Sequence, residues 1–243
     1  MNNIFMRFKI ILCSVIIFSA INLLKAQPLT GQRTGKWDSQ IYINDVNGRP
    51  IVSKYIDVEG SPYFFQDLKF GDIVLKNGRL FTGISFRIDL VANLLNFISA
   101  NGIEAVLSAE SIKEISFIDS TQVPFKKFIF QTGFAKIDQY NEYEFCQVLA
   151  SGSLNLIKRM QKRVEVRKNE LSGEQSKEFA IYEDYYLLNS TGMKRIKRDK
   201  SALLDLFTAK RTLMENYIKK NKGSFKNDNY LTDLFSFYNT LIF

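Results

Sequence analysis

The chain has 243 residues, with 33 basic against 25 acidic side chains, 46% apolar residues and no histidine. Without histidine there is no Ser-His-Asp triad, no Cys-His pair and no histidine-held metal, and one cysteine beyond the first 26 residues cannot build a zinc or iron–sulfur ligand set. The phosphate-cradling patterns G-x-x-x-x-G-K-[ST] and G-x-G-x-x-G are also missing, so no cofactor is expected.

The first residues read "MNNIFMRFKIILCSVIIFSAINLLKAQPLT". Arg7 and Lys9 make a basic start, Ile10 to Leu24 is apolar, and Ala26 precedes the polar Gln27. That order describes a secretory signal peptide over 1–26, too short in its apolar part for a spanning helix of about 20 residues. Ile11 and Leu12 are not the small residues that a lipid-anchored Cys13 would need. The expectation is export to the periplasm or beyond, with Cys146 alone left and no intramolecular disulfide.

Charge is uneven along the remainder. Residues 27–120 hold 9 basic and 11 acidic side chains, and 121–243 hold 21 and 14, giving halves of −2 and +7. An anionic partner would therefore meet the second half.

From Ile41 the apolar pattern alternates. "IYIND" and "PIVSKYIDV" flank Asn47-Gly48, "DIVLK" and "RLFTGISFRIDL" flank Asn77-Gly78, and "NLLNFI" and "IEAVL" flank Asn101-Gly102. Asn-Gly supplies the positive φ of tight hairpin turns. With "IKEISFID" these runs predict an antiparallel meander over 41–119, within an N-terminal antiparallel β unit over 27–122 that opens on a loose polar entry. A second β-rich unit is expected over 123–200, from "KKFIFQTGF" through "YEFCQVLAS", "LNLIKRM", "KRVEVRK" and "FAIYEDYYLLN" to "MKRIKR". The period then lengthens. Leu203, Phe207, Met214 and Ile218, and then Leu231, Leu234, Phe235 and Tyr238, recur at helical spacing. They predict two amphipathic helices over 201–243, packed on the sheet. The expected fold is mainly β with an α+β character: antiparallel strands in barrel- or sandwich-like units, closed by two C-terminal α-helices.

The stretch 72–98, "DIVLKNGRLFTGISFRIDLVANLLNFI", resembles the first motif of Sm and Sm-like RNA-binding barrels through Gly78, Gly83, Asp89 and Asn93. That resemblance implies a small, strongly bent barrel, with Asp89 and Asn93 as solvated loop residues. The second motif of those proteins carries an Arg-Gly pair. The corresponding place here reads Ser108-Ala109-Glu110-Ser111, so specific RNA binding is not expected. Over most of the chain, "DVEGSPYFFQDLKFGDIVLKNGRLFTG", "YEFCQVLASGSLNLIKR" and "LLDLF…YIKKNKGSFKND…LTDLFSFYNTL" resemble an exported family of Bacteroidota with no assigned activity. It implies location and carries over no site residues.

Two basic runs are the candidate binding residues: Lys158, Arg159, Lys162 and Arg163 in "KRMQKRVEVRK", and Lys194, Arg195, Lys197 and Arg198 in "MKRIKRDK". On neighbouring strands they would converge and attract an anionic envelope component such as a phosphate-bearing polymer or lipid head group. Charged edges that block sheet aggregation are the simpler explanation and the favoured one. Glu183 and Asp184 in "YEDYY" are adjacent on a strand, point to opposite faces and cannot act as a pair. Cys146 reads as a small buried filler. The expected role is a non-enzymatic binding or structural protein of the cell envelope. The alternative is a histidine-free hydrolase acting through carboxylates or a Ser/Lys pair.

Overall fold

Alternating apolar residues give thirteen strands among the residues described by the computed structural model, which are 43–45, 50–51, 55, 57–121, 123–168, 170–171 and 173–241. The Asn47-Gly48 turn lies outside them. The strands are β1 (Ile43–Asp45), β2 (Pro50–Ile51), β3 (Val58–Glu59), β4 (Lys69–Leu75), β5 (Leu80–Asp89), β6 (Leu94–Ile98), β7 (Glu104–Ser108), β8 (Ile112–Asp119), β9 (Lys126–Gln131), β10 (Cys146–Ala150), β11 (Asn155–Lys168), β12 (Gln175–Asn189) and β13 (Gly192–Arg195). They form one sheet in the order β13-β12-β11-β10-β9-β8-β4-β5-β6-β7-β1-β2, with β3 paired to β12. The fold is mainly β, as the alternation predicts. Its pairing is antiparallel except at β1–β7 and β3–β12, so the sheet is mixed. β8 and β9 are hydrogen-bonded neighbours, so the ladder runs unbroken past residue 122.

The sheet rolls up. β4 to β7 form a meander, and β8 returns after a 3-10 turn at Ala109–Ser111 to pair with β4. Gly71 permits that return: a Cβ there would lie 2.2 Å from the Ser116 carbonyl oxygen. The roll continues until the Lys162 amide on β11 donates to the Leu90 carbonyl just beyond β5, at 3.0 Å. Phe86, Leu95, Ile115, Phe117, Phe130 and Phe145 fill its interior.

The C-terminal segment supplies three helices, where the periodicity predicts two. They are α1 (Lys200–Leu206), α2 (Arg211–Lys220) and α3 (Asp228–Thr240). The predicted first helix is broken by a 3-10 turn at Thr208–Lys210, and Phe207 at the break is fully buried against Phe235 and Tyr238. Arg211 pairs with Asp205 before the break and Glu215 after it. Asp199 caps α1 through the Ala202 amide, and Asn227 caps α3 through those of Asn229 and Tyr230.

The helices cover Leu149, Ala150, Leu156, Tyr185 and Leu187 of β10 to β12, forming a second core with Leu203, Phe207, Met214, Leu231 and Phe235. Each large apolar side chain buried there contributes about 1.5–3 kcal/mol. A chain ending at Lys200 uncovers this part of the sheet. It is expected to aggregate, and a soluble truncated protein with a sharp melting transition would contradict that packing.

Candidate functional site

Strand parity decides where the basic residues go. On β11, Leu156, Lys158, Met160 and Lys162 point to the inner face, and Ile157, Arg159, Gln161 and Arg163 to the outer one. The inner face carries both cores: Leu156 belongs to the helix-covered core and Met160 to the core of the roll. Lys158 stands between them. On β10, Gln147 likewise stands between Leu149 and Phe145. In register with them, Gln147 is opposite Lys158. On β12, Glu183 follows the same rule, below Tyr185 and Leu187. A polar seam therefore divides two apolar cores on one face of one sheet.

Lys158 is buried, with its ammonium 2.6 Å from Glu183 Oε1 and 2.6 Å from Asp228 Oδ2 at the start of α3. The Tyr185 hydroxyl donates to Asp228 Oδ1 at 2.6 Å. Burial, then the Asp228 carboxylate, pushes the Tyr185 hydroxyl pKa upward. Arg198 stacks over the Tyr185 ring at 4.0 Å and donates to the Lys226 carbonyl. Glu183 thus pairs with a distant Asp228 across a lysine, a partnership that strand parity alone does not reveal.

The outer face holds a second network, under the segment between β9 and β10. Arg159 is fully buried, with its guanidinium 5.2 and 5.4 Å from the rings of Tyr140 and Tyr186. Its Nη2 donates to the Ala135 carbonyl at 3.0 Å, while Nε and Nη1 have no hydrogen-bond partner among the described residues. Tyr140 donates to Asp184 and Tyr186 to Asp138, each at 2.8 Å, and Arg195 pairs with both carboxylates. Cys146 is buried beside them, as expected for a filler, and burial pushes its thiol up to about 12, with Arg159 pulling the other way.

The eight basic candidates accordingly do not make one surface, because the condition for it, that the two runs be neighbouring strands, is not met. β12 separates β11 from β13. Lys158 and Arg159 are buried, and Lys162 donates to the Ser61 and Tyr63 carbonyls at 2.7 Å each. Burial lowers the Lys162 pKa. Arg163 lies over Tyr182 and bonds Gln161. Arg195 and Arg198 are engaged as described, and Lys194 and Lys197 are exposed.

Asp89 and Asn93 are also not solvated contact residues. Asp89 is buried and accepts the Val91 and Ala92 amides at 2.8 and 2.9 Å. Its pKa is raised by burial, against those two hydrogen bonds and the charges of Lys162 and Arg87. Asn93, at φ +56°, donates to the Tyr143 carbonyl and accepts the Phe145 amide. Asp89 thus closes the loop on itself, and Asn93 fastens it to the chain entering β10.

The remaining feature is a gap in the sheet. β9 and β10 pair only at Gln131–Cys146 and Phe130–Gln147, although both strands continue beyond. They part because they serve different cores: Phe128 of β9 packs in the roll, while Leu149 and Ala150 of β10 pack under the helices. A register shift between Val148 and Ala150 adds to the divergence. The resulting open groove has a volume of about 460 Å³. Its first wall is Val123, Pro124, Phe125, Lys126 and Lys127; its second is Gln147, Val148 and Leu149. Asn229, Thr232 and Asp233 of α3 line the inner side. Lys126 reaches across to Asn229 Oδ1 at 2.6 Å. Val123 and Phe125 are 91% and 67% exposed. Sequence reasoning missed this groove. Its available signal was Gln147, the polar residue at an inward position between Phe145 and Leu149.

Among the described residues no cluster of three or more histidine, cysteine, aspartate or glutamate side chains could hold a metal, and no helix is long and apolar enough to cross a membrane. Comparison with family models, curated proteins and solved structures gave no match.

Two stability measurements test these assignments. Lys158→Met leaves Glu183 and Asp228 facing each other without their cation, and is expected to cost about 3 kcal/mol in urea unfolding. Asp89→Ala strands two amides, at about 2–3 kcal/mol, whereas Gly78→Ala incurs only the strain of φ +85° in open space, about 1 kcal/mol. Melting temperatures should follow that order, and the reverse order would mean the Asp89 cap is dispensable.

Proposed function

We propose that the protein is an exported, non-enzymatic binding component of a cell envelope, and that the groove between β9 and β10 is its binding site. The single observation that carries this reading is the parting of two hydrogen-bonded strands to leave an open, lined groove. Strands in a sheet normally pair along their common length, so unsatisfied strand edges facing a groove call for a reason. Exposed Val123 and Phe125 beside it add apolar surface that a folded protein gains nothing by presenting to water. The basic, apolar and small-residue order over 1–26 supports export.

The hydrolase alternative is weaker on the same grounds. Hydrolysis through carboxylates needs an acid and a base free to exchange protons with a substrate. Glu183 and Asp228 are both spent on Lys158, and Asp184 is held by Tyr140 and Arg195.

The test is a photoreactive amino acid placed at Phe125, and as a control at Leu213, an exposed apolar residue of α2. The protein is expressed in its native cells and irradiated. A discrete crosslinked partner is expected from position 125 and not from 213, on a chain whose intact mass begins at Gln27. Equal crosslinking at both positions, or none at 125, would overturn the groove assignment. A chain retaining residues 1–26 would overturn export.

A further inference from the structure

We infer that the helix-bearing part of the protein carries a lysine face that docks on a membrane surface rich in anionic lipid. The groove takes no part in this, so the inference stands apart from the reading given above.

The face is assembled by a contact between segments distant in sequence. Arg198, just before α1, lies over the Tyr185 ring at 4.0 Å, and its Nη1 donates at 3.0 Å to the carbonyl of Lys226, just before α3. The chain leaving β13 and the α2–α3 connection are thereby fastened side by side. The connection is also laid against the first turn of α3. A Cβ on Gly223 would lie 2.3 Å from the Tyr230 ring, and the Phe225 ring meets that ring at 5.4 Å. Lys197 and Lys200 on one segment therefore adjoin Lys222 and Lys226 on the other. All four are exposed, and none is paired with a carboxylate among the described residues. Half of this face comes from "KKNKGSFKND", which the two basic runs of the strands do not include.

The acids in reach are already in use. Glu183 and Asp228 hold Lys158, Asp184 is paired with Arg195, and Asp199 accepts the Ala202 amide as the cap of α1. Lys219 and Lys220 end α2, where the helix dipole favours cations, and need no further reason. The four lysines of the face have no such support. Lys226 even stands beside Asn227, the cap at the positive end of α3. Four like charges gathered without counter-charge repel one another, and an anionic partner relieves that repulsion.

The kind of partner follows from what the face lacks. Binding of a single polyanionic strand relies on arginine forks and on free aromatic faces for stacking. Here Arg198 is spent on Tyr185 and the Lys226 carbonyl, Phe225 is spent on Tyr230, and Tyr217 stacks on Phe237 at 4.1 Å. What remains is a set of flexible point charges on a helix start and a connecting turn. Such charges suit mobile head groups, which need no fixed geometry, and each strengthens attachment to an anionic membrane about fivefold.

The test is sedimentation of the full chain with vesicles of phosphatidylcholine alone or with one-third phosphatidylglycerol, at low and at physiological salt. Any pull of the apolar stretch Ile10 to Leu24 is common to both vesicles, so the difference between them is read. One variant carries Lys197→Gln, Lys200→Gln, Lys222→Gln and Lys226→Gln. A second carries Lys76→Gln, Lys113→Gln, Lys168→Gln and Lys177→Gln, the same loss of charge at exposed positions elsewhere. The wild type is expected to prefer the anionic vesicles, and the preference to fall steeply with salt. The first variant should lose it by about a hundredfold or more, at an unchanged melting temperature, and the second should keep most of it. No preference in the wild type, or equal loss in both variants, would overturn the face. Tighter binding of oligothymidylate than of vesicles at equal phosphate concentration would make the face a polyanion site and reject the membrane. Neither variant touches the groove, so crosslinking from position 125 reports on the groove alone.

Discussion

Everything in this structure depends on one face of one sheet serving two cores. An apolar sheet face normally meets a single layer. Here the face is rolled on itself at one end and covered by helices at the other, and the boundary must cross the strands. At that boundary the inward positions are Gln147, Lys158 and Glu183 in place of apolar residues. Lys158 is buried, and a lysine in that place is tolerated only because two carboxylates come to it. One belongs to the neighbouring strand and the other begins α3. The ion pair thus does more than offset a charge: it sets where the helix starts relative to the sheet. The Tyr185 hydroxyl on the same Asp228 oxygen pair reinforces that placement.

The groove follows from the same constraint. Strands that must lay residues into diverging cores cannot stay at ladder spacing throughout. β9 turns with Phe128 into the roll, and β10 turns with Leu149 under the helices. The gap opens where the two demands differ most, and α3 stands at its inner side because Asp228 is held at the seam. The position of the groove is thereby tied to the fold.

How much of this the sequence discloses varies with the range of the interaction. Strands and helices are legible because alternation and helical spacing are local, and Asn77-Gly78 and Asn101-Gly102 turn where their chemistry says. The break at Phe207 is not, because the ring is drawn in by Phe235 and Tyr238 from another helix. The charge runs mislead for a related reason. Lys158 and Arg159 are neighbours in sequence, yet one is sealed between cores and the other lies under the Tyr140 loop, where aromatic faces receive it. Asp89 reads as a loop acid, while its burial is fixed by the roll of the sheet over it. Gln147 alone carried a local hint, since a polar residue interrupts an inward apolar row.

Strand β11 runs 14 residues from Asn155 to Lys168 and is paired with β12 over its whole length. At about 3.3 Å per residue it is some 45 Å long, and its early part lies under the helices while Met160 and the Lys162 amide belong to the roll. A contiguous strand cannot be ordered at one end and free at the other without losing ladder bonds along the way. Opening of either core is therefore opposed by the other through a shared backbone. Loss of the helices propagates into the roll, and loss of the roll loosens the platform of the helices. A backbone shared in this way ties the two apolar centres into one cooperative unit, which opens as a whole rather than core by core.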